Sequence, residues 1–351
     1  MPGVHLDGSE QSGSGTLVRL SVALAALCGC ELRVTRARAR RPRPGLRPQH
    51  LAAVQACAEL CEGSLEGAHV GASDFVFRPG GRIRGGRYAW DIGSAGSTTM
   101  LALCVLPVAC FAEGPVTARI EGGVFQDFAP SPEHLAQVLA PLVAPMGARF
   151  ALRVLRPGYV PGGAGSIELR VEPVAAALAP LVLEDPGDVG LVRGVACASH
   201  LAERRVAARM ADTCEAELAR AGLQARIERE DDLTAAGAGA ALAVWAVSSS
   251  GARFGADRAG ARRRSAESIG RFVARQLVAD LGSGATTDRH AADQLVGFAA
   301  LAAGTSRWRA PLATGHLAAN LWLAERFGAH TRLAAGRVEV TGIGLRRGGR
   351  S

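Results

Sequence analysis

With 351 residues and 48% apolar side chains, the chain can fill two domains, or one large domain carrying an insertion. All 40 of its Lys+Arg residues are arginine. That excludes a P-loop lysine on β/γ-phosphates, the strand lysine of kinases, and the lysine nucleophile of common nucleic-acid ligases. A formal net charge of +8 suits a polyanionic partner such as RNA, whereas 5% aromatic content argues against a binder built throughout on base stacking.

Residues 4–16 read as a short strand followed by a Gly/Ser loop, and 17–29 as a helix. Such a loop before a helix offers backbone N–H groups to an anion. The apolar run Leu20 to Cys30 follows Asp7 and Glu10 rather than a basic segment and is too short to span a bilayer. It reads as a buried helix, and no other segment reads as transmembrane. An arginine run follows, from Arg33 to Arg47, and then a helix over 49–62, where Leu51, Val54, Ala58 and Cys61 recur at helical spacing.

Strand-like runs at 73–78, 115–121, 150–155 and 166–172 surround a helix over 132–145, with Ser131 as its cap and Pro132 at its first position. Diglycines at Gly85-Gly86, Gly122-Gly123 and Gly162-Gly163 are near-regularly spaced and hint at a repeated β/α unit. Helices alternate with strands, so the expected class is α/β or interleaved α+β. At Asp185-Pro186-Gly187-Asp188 the composition changes. A helix-rich stretch (199–221), an acidic patch at Glu228 to Asp232, an arginine-rich connector at 257–264 and a helix over 265–281 follow. These place a small inserted domain at 185–275, within a large domain formed by 1–184 plus 276–351. The eight cysteines form no paired CxxC zinc pattern and sit mostly among Ala, Leu and Val, as expected for reduced core thiols of a cytoplasmic protein.

Five blocks carry a resemblance. They are Pro44-Gly45-Leu46-Arg47-Pro48-Gln49-His50-Leu51, the Gly-rich turn Ile92 to Ser97, Arg156 to Tyr159 with Pro161 to Gly165, Ala292-Asp293-Gln294-Leu295, and Thr314-Gly315-His316-Leu317. Together they resemble the RNA 3′-terminal phosphate cyclases over nearly the whole chain. The resemblance implies a large domain of repeated βαβαββ units with a smaller inserted α/β domain. It implies ATP and a divalent metal (Mg²⁺ or Mn²⁺) as cofactors and RNA with a 3′-phosphate end as partner. It implies that the imidazole of His316 takes AMP from ATP before passing it to the RNA 3′-phosphate, and neutral imidazole is a competent nucleophile. The nucleotide-binding positions it implies are Arg19, Arg38, Arg41, Gln49, Leu103, His290, Ala291, Ala292, Asp293 and Gln294.

The sequence departs from the family's pattern at Ser12, where an acid is usual, and at Thr16 and Leu103, where glutamines are usual. An aromatic residue is replaced by His290, while Arg19 is retained. The metal ligands therefore stay unassigned. His50 reads as structural, and Arg262, Arg263 and Arg264 as an exposed linker. Two other readings compete. A ribosome-assembly scaffold that binds RNA without catalysis is disfavoured by the retained His316. A group-transfer enzyme on the related enolpyruvyl-transferase fold is disfavoured by the absent lysine.

Overall fold

Caps and alternation lay out the elements. In the computed structural model, which describes residues 3–348, one βαβαββ unit occurs three times. The first copy holds β1 (Val4–Asp7), α1 (Gly15–Cys28), β2 (Leu32–Thr35), α2 (Pro48–Leu60), β3 (Ser64–Glu66) and β4 (Phe75–Arg78). The second holds β5 (Gly86–Asp91), α3 (Thr98–Ala109), β6 (Val116–Gly122), the short helices α4 (Pro132–His134) and α5 (Ala140–Val143) joined by a π-turn, β7 (Arg149–Arg156) and β8 (Gly165–Glu172). The third opens with β9 (Val182–Leu183) and is then interrupted. The interruption is β10 (Val192–Ser199), α6 (Val206–Arg220), β11 (Ala225–Asp232), β12 (Gly239–Val247), β13 (Arg253–Ala259) and α7 (Ala266–Leu281). The third copy resumes with α8 (Arg289–Ala299), β14 (Thr305–Arg309), α9 (Gly315–Arg326), β15 (His330–Ala334) and β16 (Arg337–Thr341).

Strand order is the same in all three copies: β1-β2-β4-β3, β5-β6-β8-β7 and β9-β14-β16-β15. In each, the first two strands run parallel and the remaining pairs antiparallel. The inserted sheet has the order β11-β10-β12-β13, with α6 and α7 packed on it. The interleaved α+β class and the repeated units with an insertion are therefore present.

Several details differ from the sequence expectation. All three diglycines fall inside or at the start of the second copy, so their spacing is not the period of the repeat. The expected boundary at residue 275 cuts α7, which packs on α6, β12 and β13 and ends only at Leu281. The expected connector begins as the end of β13, and Arg264 is fixed by an ion pair to Asp127 at 2.8 Å. The helix-rich stretch has strand at its start: β10 runs to Ser199, and α6 begins only at Val206. None of the eight cysteines is in a disulfide, and all but Cys28 are buried. Among the described residues no helix is long and apolar enough to cross a membrane.

Helices α1 and α3 are apolar on almost every face and form the centre of the molecule. A helix that is hydrophobic all round is a core element, so the charged Arg19 on α1 stands out. Ser14, Ser97, Asp288 and Thr314 cap α1, α3, α8 and α9, each accepting a hydrogen bond from the first turn that follows. These caps fix where each helix begins.

Candidate active site

Those four helices and α2 begin at one place. Ser14 to Thr16 of α1, Gln49 and His50 of α2, Ser97 and Met100 of α3, His290 and Asp293 of α8, and His316 of α9 all line a single cleft of about 770 Å³. Helix N-termini leave N–H groups unpaired and carry partial positive charge, so their convergence favours an anion. The insert adds a wall through Asp257 to Ala259 of β13 and Phe272 and Gln276 of α7.

The floor is built from close approaches. A Cβ on Gly15 would lie 2.1 Å from His50 Nε2 and 3.0 Å from Arg19 Nη1, so only glycine fits. His50 Nδ1 accepts the backbone N–H of Arg47 at 3.3 Å, which puts the ring proton on Nε2, facing the start of α1. Burial, then Arg19 and its neighbouring arginines, push His50 down to about 2 and keep it neutral. Arg19 is 8% exposed. Its guanidinium has no hydrogen bond or ion pair among the described residues. Burial, together with Arg38 and Arg41, lowers it to about 10, which leaves it charged at neutral pH. Arg38 Nη1 donates to the carbonyls of Gly45 at 2.7 Å and Arg43 at 3.0 Å. Arg41 lines the same cleft, its guanidinium without a protein partner among the described residues.

One buried amide ties three helices together. Thr16 Oγ1 on α1 donates to Asn320 Oδ1 at 3.2 Å, and Asn320 Nδ2 on α9 donates to the Asp293 carbonyl on α8 at 2.9 Å. Arg19, Asp293 and His316 are thereby held in register. His316 sits in the first turn of α9, after Thr314, whose Oγ1 accepts the Leu317 N–H at 3.0 Å. His316 is exposed at the cleft surface, yet the surrounding atoms still desolvate it; that desolvation, then Arg19, Arg41 and His290, lower its pKa and favour the neutral imidazole. Asp293 is raised to about 8 by burial and by Asp288, so it is protonated at neutral pH and can donate.

Of the expected positions, Arg19, Arg38, Arg41, Gln49, Leu103, His290, Asp293, Gln294 and His316 share the cleft. Ala291 and Ala292 do not: both are fully buried, and their N–H groups bond Asp288 within the first turn of α8. Gln49 is partly engaged, since its Oε1 accepts the Ser97 N–H at 3.0 Å and holds the start of α3. Leu103 joins Leu20, Met100, Pro107 and Phe298 in an apolar wall. Gln294 Oε1 and Gln126 Nε2 are buried without a partner, leaving one acceptor and one donor open toward the cleft. Sequence reasoning missed Asn320, Gln126 and the cleft position of His50. No motif or charge run marks Asn320, whose partners lie in distant helices.

The donor set does not fit a divalent metal held by protein alone. Among the described residues no group of three or more His, Cys, Asp or Glu side chains could hold one. Ser12, where the resemblance expects an acid, bonds Ser14 Oγ at 2.9 Å instead. Compensation of phosphate charge by the protein falls to the arginines and helix N-termini.

These features define a polyanion-binding cleft with a neutral imidazole facing cationic groups. A family model described as RNA 3′-terminal phosphate cyclase matches residues 10–332. The RNA 3′-terminal phosphate cyclase of Methanopyrus kandleri is 38% identical over 335 residues, covering 92% of this chain and 93% of that protein. That of Hyperthermus butylicus is 40% identical over 312 residues (86% and 85%), and that of Nitrosospira multiformis 39% over 328 residues (92% and 91%). The solved enolpyruvyl transferase NikO from Streptomyces tendae matches with a TM-score of 0.39 at 13% identity, covering 98% of this chain and 50% of that one. The chain belongs to the RNA 3′-terminal phosphate cyclase family.

Proposed function

We propose that this protein uses ATP to convert an RNA 3′-terminal phosphate to a 2′,3′-cyclic phosphodiester through a histidine–AMP intermediate on His316. The observation that carries this reading is the neutral His316 in one cleft with the unpaired, buried Arg19 and five helix N-termini. The imidazole lone pair attacks the α-phosphorus of ATP; a P–N bond forms, the P–O bond to pyrophosphate breaks, and pyrophosphate leaves. Arg19, Arg38 and Arg41 stabilise charge on the departing phosphates. An oxygen of the RNA 3′-phosphate then takes the AMP, breaking the P–N bond. The vicinal 2′-hydroxyl attacks the activated phosphorus, loses its proton and expels AMP.

The apolar wall around Leu103 suits one face of the adenine, and Gln294 Oε1 is placed to accept from its amine or from a ribose hydroxyl. Protonated Asp293 serves as a donor on the same helix. The test is labelling with α-³²P-ATP and Mg²⁺ or Mn²⁺, wild type beside His316→Ala. Acid-labile, alkali-stable label on wild type only, together with a phosphatase-resistant RNA end, is the expected result. Full activity in His316→Ala overturns the histidine route. The loss of an acid at Ser12 favours a second reading, a nucleotide-silent RNA-binding homologue. That reading predicts no label and RNA binding with a steep salt dependence.

A further inference from the structure

Phe128 lies on the rim of the cleft with its side chain 99% exposed. Its φ is +65°, a conformation that costs a bulky residue roughly 1–3 kcal/mol and persists only where surrounding structure enforces it. The enforcement is visible on both sides of the residue. Asp127 takes Arg264 Nη1 at 3.0 Å and Nη2 at 2.8 Å, and Arg258 Nε at 3.3 Å. After Phe128, the Pro130 carbonyl accepts Thr99 Oγ1 at 2.8 Å, and the Ser131 N–H donates to Asp257 Oδ2 at 2.8 Å. The second copy of the repeat and the insert therefore do not bury this ring; they hold it out. On the insert's side of the same cleft the Arg258 guanidinium lies 4.4 Å from the centre of the Phe272 ring, and Phe272 is itself 40% exposed.

We propose that Phe128, with the Arg258–Phe272 stack across the rim, receives the base of the 3′-terminal nucleotide of the acceptor RNA; this rests on the cyclase reading above. Exposed flat rings and guanidinium planes bind any base through its π face. The cationic floor beneath takes the attached phosphate. The nucleotide's adenine has its own wall deeper in the cleft at Leu20 and Leu103, which leaves the rim to the polynucleotide. Low aromatic content overall is compatible with this, because the rings needed are few and local.

The experiment compares wild type with Phe128→Ala and Phe128→Trp on a 3′-phosphorylated oligonucleotide, normal or abasic at its last position. Phe128→Ala is expected to raise KM for the normal RNA roughly 5- to 150-fold, the range set by one base–aromatic stack. His316 labelling by ATP without RNA should stay within about twofold of wild type, and Phe128→Trp should retain wild-type KM. The abasic substrate should cost wild type the same factor and cost Phe128→Ala nothing more. Equal abasic losses in both proteins overturn the proposal. So does a raised ATP requirement for labelling in Phe128→Ala, which assigns the ring to adenine. If wild type takes no label, the cyclase reading has failed on its own. Quenching of a terminal 2-aminopurine on binding, measured without ATP, then decides: lost in Phe128→Ala, the stack stands; unchanged, it falls.

Discussion

The floor of the cleft and the seam behind it use the same helix, α8, in opposite ways. At the seam, where the second copy, the third copy and the insert meet, the buried charge is paired, although His134 Nδ1 and Thr287 Oγ1 stay without a partner. Asp288 accepts the N–H groups of Gly255 at 2.9 Å, His290 at 2.8 Å and Ala291 at 2.9 Å, and pairs with His134 Nε2 at 3.0 Å. Burial alone would raise Asp288, but His134 and these donors hold it at about 2; burial alone would lower His134, but Asp288 holds it raised. On the floor, Arg19 is also buried, yet its guanidinium has no protein partner among the described residues, and Gln126 and Gln294 each leave a buried atom open. Burial is alike in the two places. What differs is whether the protein supplies a counter-charge to its own buried charge, and a buried charge left without one favours an anionic ligand.

Breaking the seam should have the largest effect. His134→Ala leaves Asp288 buried without its counter-charge and is expected to cost about 3–5 kcal/mol of stability, read by chemical denaturation. Removing the floor charge should do the reverse to the fold. Arg19→Met is expected to hold or raise stability while lowering kcat/KM by roughly 100-fold or more, since the charge has no protein counter-ion and its proposed role is on phosphate. If Arg19→Met unfolds as His134→Ala does, the contrast between floor and seam is wrong.

Asp293 sharpens the comparison through pH. Its carboxyl is protonated in the fold up to about 8, whereas an unfolded aspartic acid ionises near the ordinary value of roughly 4. Between those values the folded chain binds the extra proton. The contribution is therefore full below the lower value and is lost as pH rises through about 8. Asp293→Asn should flatten the fall in thermal midpoint between roughly pH 4 and about pH 8. The smallest effect concerns the apolar wall. With no polar group at Leu103, wild type should separate ATP from GTP by less than about tenfold in labelling, and Leu103→Gln should widen that ratio.

Much of the site was legible because its residues sit in short blocks at helix starts, where cap, glycine and functional side chain are neighbours. Arg19, Asp293, Gln294 and His316 are of this kind. Ala291 and Ala292 share such a block but turn inward, because a helix points adjacent residues about 100° apart. The repeat was expected, yet the diglycines that suggested it belong to loops of one copy. The expected boundary at residue 275 lies within α7; the arginine-rich stretch before that helix reads as linker in the sequence, while Arg264 is paired to Asp127. Asn320 and the His134–Asp288 pair were invisible, since each joins residues far apart in sequence; the latter two are separated by 154 positions.

The insertion between β9 and α8 also sets an order of events during synthesis. Of the helices that line the cleft, α1 leaves the ribosome first and α9 last, and the Thr16–Asn320 bond that couples them spans 304 positions. The short strand β9 must wait for the whole insert before β14 arrives to pair with it. Closing so distant a contact is slow compared with local folding. A nascent chain therefore carries the arginines of the cleft long before it carries His316, and translation must pass residue 320 before the cleft can be assembled.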